Sequence, residues 1–280
     1  MGAVKDLKKS FPSVLDSAYA QYKRDLLRYR QVDQIMTNDV VTISPEASMR
    51  EAAIVMGEKH IGSLIVKKYK TPVGIVTERD LLTKILATGK DPKNEKVENS
   101  MSYPLITISP TAKIKEAAQM MYLKKGRLVV FDSGKLQGIV TASDLIRSLP
   151  EVPETQVQVD DYMTKIVVTA DEKTPVAKIV KIMGEERIGS VLITHEEKPF
   201  GIFTERDLLS KFIAKDLPID DVEVGGAASS PLITTPAGTS VHNVAVTMTM
   251  KHVRRMPIAA TDETIVGVIT ARDLVEAYAK

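Results

Sequence analysis

The chain has 280 residues, with 38 Lys and Arg against 36 Asp and Glu, for a net charge of +2. That near balance excludes a strongly basic field of the kind that concentrates nucleic acid or anionic membrane. The lack of cysteine excludes a disulfide framework, a thiolate nucleophile and a zinc–thiolate site.

No stretch approaches the ~20 apolar residues of a membrane span. Lys5, Lys8 and Lys9 are not followed by the apolar run of about 7–15 residues that a secretory signal needs. A cytoplasmic protein without a membrane partner is the expectation. Residues 1–31 are predicted to form a leader helix, because Val14, Leu15, Ala18, Tyr22 and Leu26 share one face while Lys23, Arg24, Arg28 and Arg30 fall largely elsewhere.

After the leader, an apolar stretch from Val40 to Ile43 ends at Ser44-Pro45, where Ser suits a helix cap and Pro a first turn. The helix that follows draws its apolar face from Ala52, Ala53, Val55 and Met56. Ser63-Leu64-Ile65-Val66 and Val73-Gly74-Ile75-Val76 are short β-branched runs bounded by turn residues. A second helix opens at Thr77, giving the order β-α-β-β-α.

That order recurs. Thr77-Glu78-Arg79-Asp80-Leu81-Leu82 returns verbatim as Thr204-Glu205-Arg206-Asp207-Leu208-Leu209, and the same offset aligns Met36-Thr37 with Met163-Thr164 and Ile61-Gly62-Ser63 with Ile188-Gly189-Ser190 without a gap. Within each half the pattern repeats more loosely, since Gly74-Ile75-Val76-Thr77-x-x-Asp80 is followed by Gly138-Ile139-Val140-Thr141-x-x-Asp144. The fourth copy ends in Thr270-Ala271-Arg272-Asp273. Four units in two halves predict an α/β fold with helix-covered sheets, divided into 32–150 and 158–280. Charge and proline place linkers at 89–99, 150–160 and 215–226.

The recurring Thr-x-x-Asp falls at a strand-to-helix turn, where free backbone N–H groups favour an anion. It equally matches a capping box, in which hydroxyl and carboxylate satisfy backbone donors and nothing else. Repetition does not choose between the two, because four copied helices each need a cap. An ionised carboxylate with two oxygens does suit a vicinal diol.

The whole pattern, from Gln34 to Tyr278, resembles the cystathionine β-synthase (CBS) domain. The resemblance implies that consecutive repeats pair through their sheets into Bateman modules, two modules forming a pseudo-symmetric disc, with two clefts per module that accept adenosine-containing ligands. It assigns ribose hydroxyls to Asp80, Asp144, Asp207 and Asp273, and ribose or phosphate to Thr77, Thr141, Thr204 and Thr270. Phosphate falls to Arg79, Arg206 and Arg272, with Ser143 breaking the series, and to Arg127 and Arg255 ahead of the strands Leu128-Val129-Val130 and Met256-Pro257-Ile258, where the other repeats carry Ser63 and Ser190. The arginine fork fits phosphate oxygens. Thr42, Thr107, Thr169 and Thr234, two to four residues before the first helix of their repeats, fall at the edge of the implied base pocket. Arg254 and Arg272 make the second half the expected site of the more highly charged ligand.

His60, His195, His242 and His252 share no metal-ligand spacing, and no metal is expected. The methionines, as in Met120-Met121 and Met248-x-Met250, read as core filling. With no nucleophile signature and no Walker-type loop, the chain is not expected to be an enzyme or to hold a catalytic cofactor. Four linked repeats are similar to the regulatory γ subunit of AMP-activated protein kinase. The expected function is a non-catalytic sensor of AMP, ADP or ATP that acts on an effector protein in trans, with homodimerisation open. S-adenosylmethionine as ligand, and a ligand-free protein- or nucleic-acid-binding scaffold, are the alternatives.

Overall fold

The structure, a computed structural model, describes residues 30–148 and 157–280, so the predicted leader helix lies outside the described residues apart from Arg30 and Gln31. In the first repeat β1 (Thr42–Ile43) runs parallel to β2 (Ser63–Lys68), which pairs antiparallel with β3 (Thr71–Thr77). The parallel pair needs a crossover, and α1 (Met49–Glu58) supplies it. Next, α2 (Glu78–Lys84) follows β3, and a short α3 (Val97–Ser100) leads into the second repeat.

The second repeat has β4 (Thr107–Ile108), α4 (Ile114–Lys124), β5 (Leu128–Asp132), β6 (Lys135–Val140) and α5 (Ala142–Ser148). The third has β7 (Thr169–Asp171), α6 (Val176–Glu185), β8 (Ser190–His195), β9 (Lys198–Thr204) and α7 (Glu205–Lys211). In the fourth stand β10 (Thr235–Pro236), α8 (Val241–Met250), β11 (Arg255–Ala259), β12 (Ile265–Thr270) and α9 (Ala271–Ala279). Each repeat thus builds one three-stranded sheet of the same order, and the α/β class is as expected.

The first helix starts later than the sequence suggests. Ser44 and Pro45 lie in a turn, and Ser48 is the cap, accepting from Glu51 N at 3.1 Å while Glu51 accepts from Ser48 N at 2.7 Å. A Ser-x-x-Glu box satisfies two backbone donors at once, where Ser44 offers one. Thr42 therefore stands seven places before Met49.

The chain divides into two compact units that do not follow its halves. One, here the odd unit, joins residues 39–105 and 165–234, the first and third repeats; the even unit joins, among the described residues, 30–38, 106–148, 157–164 and 235–280.

In the odd unit the duplicated Leu-Leu pair is shared between two cores. Leu81 packs with Met49, Met56 and Leu64 of its own repeat, whereas Leu82 packs with Ile179, Phe203 and Phe212 of the third. Leu208 and Leu209 do the same in reverse. Each fully buried leucine contributes about 2 kcal/mol, so neither core is complete without the other repeat.

The segments around Val32, Val97, Val159 and Val224 each make a single helical turn whose valine is wholly buried. Residues 89–99 and 215–226 are accordingly not plain linkers. Val97 N donates to Ala47 O at 2.8 Å, and Ser102 exchanges two hydrogen bonds with Ile75 on β3. Ser229 pairs with Ile202 on β9 in the same way. In the even unit Thr37 pairs with Ile139 on β6, and Thr164 with Val268 on β12.

These docked segments account for the glycine that recurs ahead of each Thr-x-x-Asp. A Cβ at Gly138 falls 2.7 Å from the sulfur of Met36, one at Gly74 2.6 Å from that of Met101, and one at Gly267 runs into that of Met163. Close approach of the methionine, rather than any turn, requires glycine there.

Candidate functional site

Thr77, Thr204 and Thr270 end a strand in extended backbone and cap the next helix, and Thr141 stands between β6 and α5. Asp80 Oδ2 accepts from Thr77 N at 2.9 Å and Thr77 Oγ1 at 2.6 Å, while Thr77 Oγ1 accepts from Asp80 N at 3.1 Å. Thr204 and Asp207 repeat this at 2.9, 2.6 and 3.2 Å. Asp144 accepts from Thr141 at 2.8 and 2.6 Å, and Asp273 from Thr270 at 2.7 and 2.8 Å. The capping box is closed at Thr77, Thr204 and Thr270, and at all four copies one carboxylate oxygen is spent on the threonine.

The second oxygen differs between copies. Lys84 Nζ lies 2.7 Å from Asp80 Oδ1 and donates at 2.7 Å to Ser100 O, the last residue of α3. Lys211 does likewise with Asp207 Oδ1 at 2.7 Å and Ala227 O at 2.8 Å, and Ser229 Oγ adds a third bond at 2.9 Å. Each lysine ties a helix start to the end of the neighbouring helical turn, where a cation is favoured. In the even unit Arg147 pairs with Asp144 Oδ1. Asp273 hydrogen-bonds, among the described residues, only to Thr270, through Oδ2. Its burial and the Glu276 carboxylate push the Asp273 pKa up, against the Thr270 bonds and Arg272, which pull it down.

The arginines assigned to phosphate engage protein. Arg79 Nε lies 3.1 Å from Glu205 Oε1, with a further bond to Arg187 O at 3.2 Å. Arg206 Nε lies 3.7 Å from Glu78 Oε1. Both glutamates are buried, at 4% and 6% exposure. The even unit has Ala142 and Ala271 at those positions. There Arg272 donates to Lys125 O at 3.3 Å, Arg255 opens β11 directly opposite Thr270, and Arg254 O accepts from Ala271 N at 2.9 Å. Arg127 immediately precedes β5.

The strand threonines occupy one register. Thr42, Thr107 and Thr169 pair with Ile65, Val129 and Leu192, while Thr234 stands one residue before β10. All four are exposed, and among the described residues none hydrogen-bonds to a motif aspartate.

Sequence reasoning missed Glu78, Glu205, Lys84 and Lys211. Their signal was present, as Asp-x-x-x-Lys in the first and third repeats and as the glutamates of the verbatim hexapeptide. It also missed an open cleft of about 300 Å³ in the even unit, lined by Arg30, Gln34 and Thr37 of the leading segment and by Asp144, Arg147 and Ser148 of α5. His195 Nδ1 contacts Glu172, but no group of three metal-binding side chains occurs among the described residues. No helix among them is long and apolar enough to cross a membrane.

Four sheets of one topology, each closed by a capped carboxylate, define a tandem-repeat α/β protein. The sequence model of the CBS domain matches residues 32–87, 96–151, 159–214 and 220–280, and the chain belongs to that family. Protein MK0525 of Methanopyrus kandleri is 37% identical over 132 residues, 46% of this chain and 67% of its own. Protein MJ1225 of Methanocaldococcus jannaschii is 30% identical over 197 residues, 65% of this chain and 69% of its own. The crystal structure of MJ1225, described as a proposed archaeal homologue of γ-AMPK, aligns with a TM-score of 0.74 and 22% identity over 89% of this chain and all of that one. At that identity the likeness speaks for the fold.

Proposed function

We propose that this protein is a regulatory sensor of adenine nucleotides, AMP, ADP or ATP, that acts on a partner protein and performs no chemistry of its own. The observation that carries the reading is the carboxylate of Asp273. Its Oδ2 is spent on the cap with Thr270, and among the described residues its Oδ1 is left for a donor outside the box. A ribose diol supplies such donors, and arginines at neighbouring strand and helix starts suit the phosphates. Membership of the CBS family and the fold shared with MJ1225 support the same reading.

Calorimetric titration of nucleotide-stripped protein with AMP, ADP, ATP and S-adenosylmethionine tests it. Saturable binding of an adenine nucleotide at about micromolar Kd, near −8 kcal/mol, is the expected result. Preference for S-adenosylmethionine would replace the ligand and leave phosphate recognition without a role. No heat with any of the four, from folded protein, would leave the aspartates as caps and the protein as a scaffold.

A further inference from the structure

The tip of the first hairpin is unlike the other three. Lys68 pairs with Thr71, and Tyr69-Lys70 make the two-residue turn between β2 and β3. Tyr69 takes a φ of +56°, a left-handed value that favours glycine or asparagine over a bulky side chain. Its ring is 93% exposed and adds nothing to a core. The third repeat makes the equivalent turn with Glu196-Glu197 and the second with Ser133-Gly134, so the fold requires neither the aromatic nor the charge found here.

Three lysines flank that ring, Lys67 and Lys68 before it and Lys70 after, and Lys68 and Lys70 are exposed. Among the described residues none of the three closes an ion pair. Lys68 lends its charge to Glu46, whose carboxyl is held low first by its Ser44 hydrogen bond. No other hairpin shares this sign. Asp132 faces Lys135 in the second, Glu196 and Glu197 fill the third turn, and Asp262 and Glu263 lie in the fourth.

The tip also stands apart from the motif carboxylates. β3 runs from Thr71 to Thr77, about 20 Å at the rise of an extended strand, so the tip and the Thr77 helix start lie at its opposite ends.

We infer that the Lys67-Lys68-Tyr69-Lys70 hairpin is a docking point for an acidic segment of a partner protein. This docking point rests on the function proposed above only in that a regulator needs such a partner. The lysines steer carboxylates in and make the contact salt-dependent, while the tyrosine ring is an amphipathic anchor of the kind that dominates interfaces. Nucleic acid fits less well. Its affinity grows with the number of phosphates neutralised, and three lysines on one turn, in a chain of net charge +2, neutralise few.

Fluorescence anisotropy of a labelled peptide of glutamates and leucines tests the docking point, with its glutamine counterpart and a single-stranded oligonucleotide of equal charge for comparison. Each probe is titrated with the full chain, with Lys68→Glu/Lys70→Glu and with Tyr69→Gly, and each protein is checked by thermal melting and sedimentation. The expected result is saturable, salt-sensitive binding of the glutamate peptide and none of the glutamine one. Lys68→Glu/Lys70→Glu should weaken it at least about tenfold and Tyr69→Gly about fivefold, with neither variant melting lower. Tyr69→Trp, in a chain without tryptophan, locates the contact through a shift in emission as the peptide binds. AMP and ATP titrations should not distinguish the variants from the parent, so a parent that binds no nucleotide ends the nucleotide reading and leaves the docking point standing. Failure of the glutamate peptide to bind, equal binding by parent and both variants, or binding without an emission shift overturns the inference. So does tighter binding of the oligonucleotide, which would make the tip a nucleic-acid contact, or a parent dimer dispersed by Lys68→Glu/Lys70→Glu, which would make it a contact between copies.

Discussion

Arg79 and Glu205 pair at 3.1 Å across the start of two helices, and their copies Arg206 and Glu78 close the same junction from the other side at 3.7 Å. Such reciprocity is the geometry of a two-fold interface, in which one surface meets its own copy. It explains why Thr-Glu-Arg-Asp-Leu-Leu is duplicated without a change. Thr and Asp cap the helix, Glu and Arg cross to the other repeat, the first Leu fills its own core and the second fills its neighbour's. Altering the Glu, the Arg or the second Leu in one copy alone would break a contact with the other repeat.

Loss of one guanidinium should therefore cost more than a surface ion pair. Arg79 is 45% exposed and Glu205 7% at their side chains, so the value lies between those of exposed and buried pairs. Arg79→Met is expected to lower unfolding free energy by about 1–2 kcal/mol. A double-mutant cycle with Glu205→Gln, read by urea denaturation, should return a coupling of about 1 kcal/mol. Additive effects would mean that the pair contributes nothing.

The lysine clamp makes a local prediction. Lys84 joins Asp80 to Ser100 O, and the chain just beyond hydrogen-bonds β3 through Ser102 N to Ile75 O at 2.8 Å. Lys84→Met should speed hydrogen exchange at the Ser102 amide by about tenfold while leaving the centre of β2 unchanged. Arg147→Met should have a smaller effect on its own leading segment, because Arg147 is 59% exposed at its side chain and pairs with its own helix.

Glycine-to-alanine substitutions should rank by what the added methyl meets. Gly74→Ala and Gly138→Ala push a Cβ to 2.6 and 2.7 Å from a methionine sulfur, and each is expected to cost about 1–3 kcal/mol. Gly201→Ala meets Ala228 Cβ and Ser229 O, both at 3.2 Å, and should cost less than either. Met36→Ala should restore only part of the stability lost in Gly138→Ala, because the added Cβ still falls 2.9 Å from Thr37 O. Equal costs at all three glycines would place the effect in strand propensity instead.

Much of this was legible in the chain because the information was local. The capping boxes needed only a Thr-x-x-Asp spacing, and the strands only β-branched runs between turn residues, so the repeat order and the four helix starts follow from the sequence. The grouping of first with third and second with fourth repeats did not, since it depends on Leu82 and Leu209 finding a core far along the chain. The docked segments were hidden for a related reason. Val97 and Val224 are single apolar residues among charge and proline, and their burial shows only when β3 and β9 stand beside them. Arg79 was assigned to phosphate by its place at a helix start, and the buried Glu205 that meets it comes from another repeat.

Asp273 separates binding from stability. Its pKa is raised, chiefly by burial and then by Glu276, so the folded state holds its proton more tightly than the unfolded chain. The contribution of this group to stability is complete below the ordinary value of 3.8 and is lost as pH rises through the folded value, leaving the parent to bear the cost at neutral pH. Asparagine can still accept the bond from Thr270 N without the charge. Asp273→Asn is therefore expected to melt no lower than the parent at about pH 7, and its relative advantage should shrink as pH falls toward about 4. Nucleotide affinity at neutral pH should meanwhile drop by at least about tenfold, because a neutral amide offers a ribose diol only one acceptor oxygen. Thermal melts across that pH range, paired with one neutral-pH titration, measure both. A lower melting temperature at neutral pH would make Asp273 a structural carboxylate like Asp80, and unchanged affinity would remove it from the binding site.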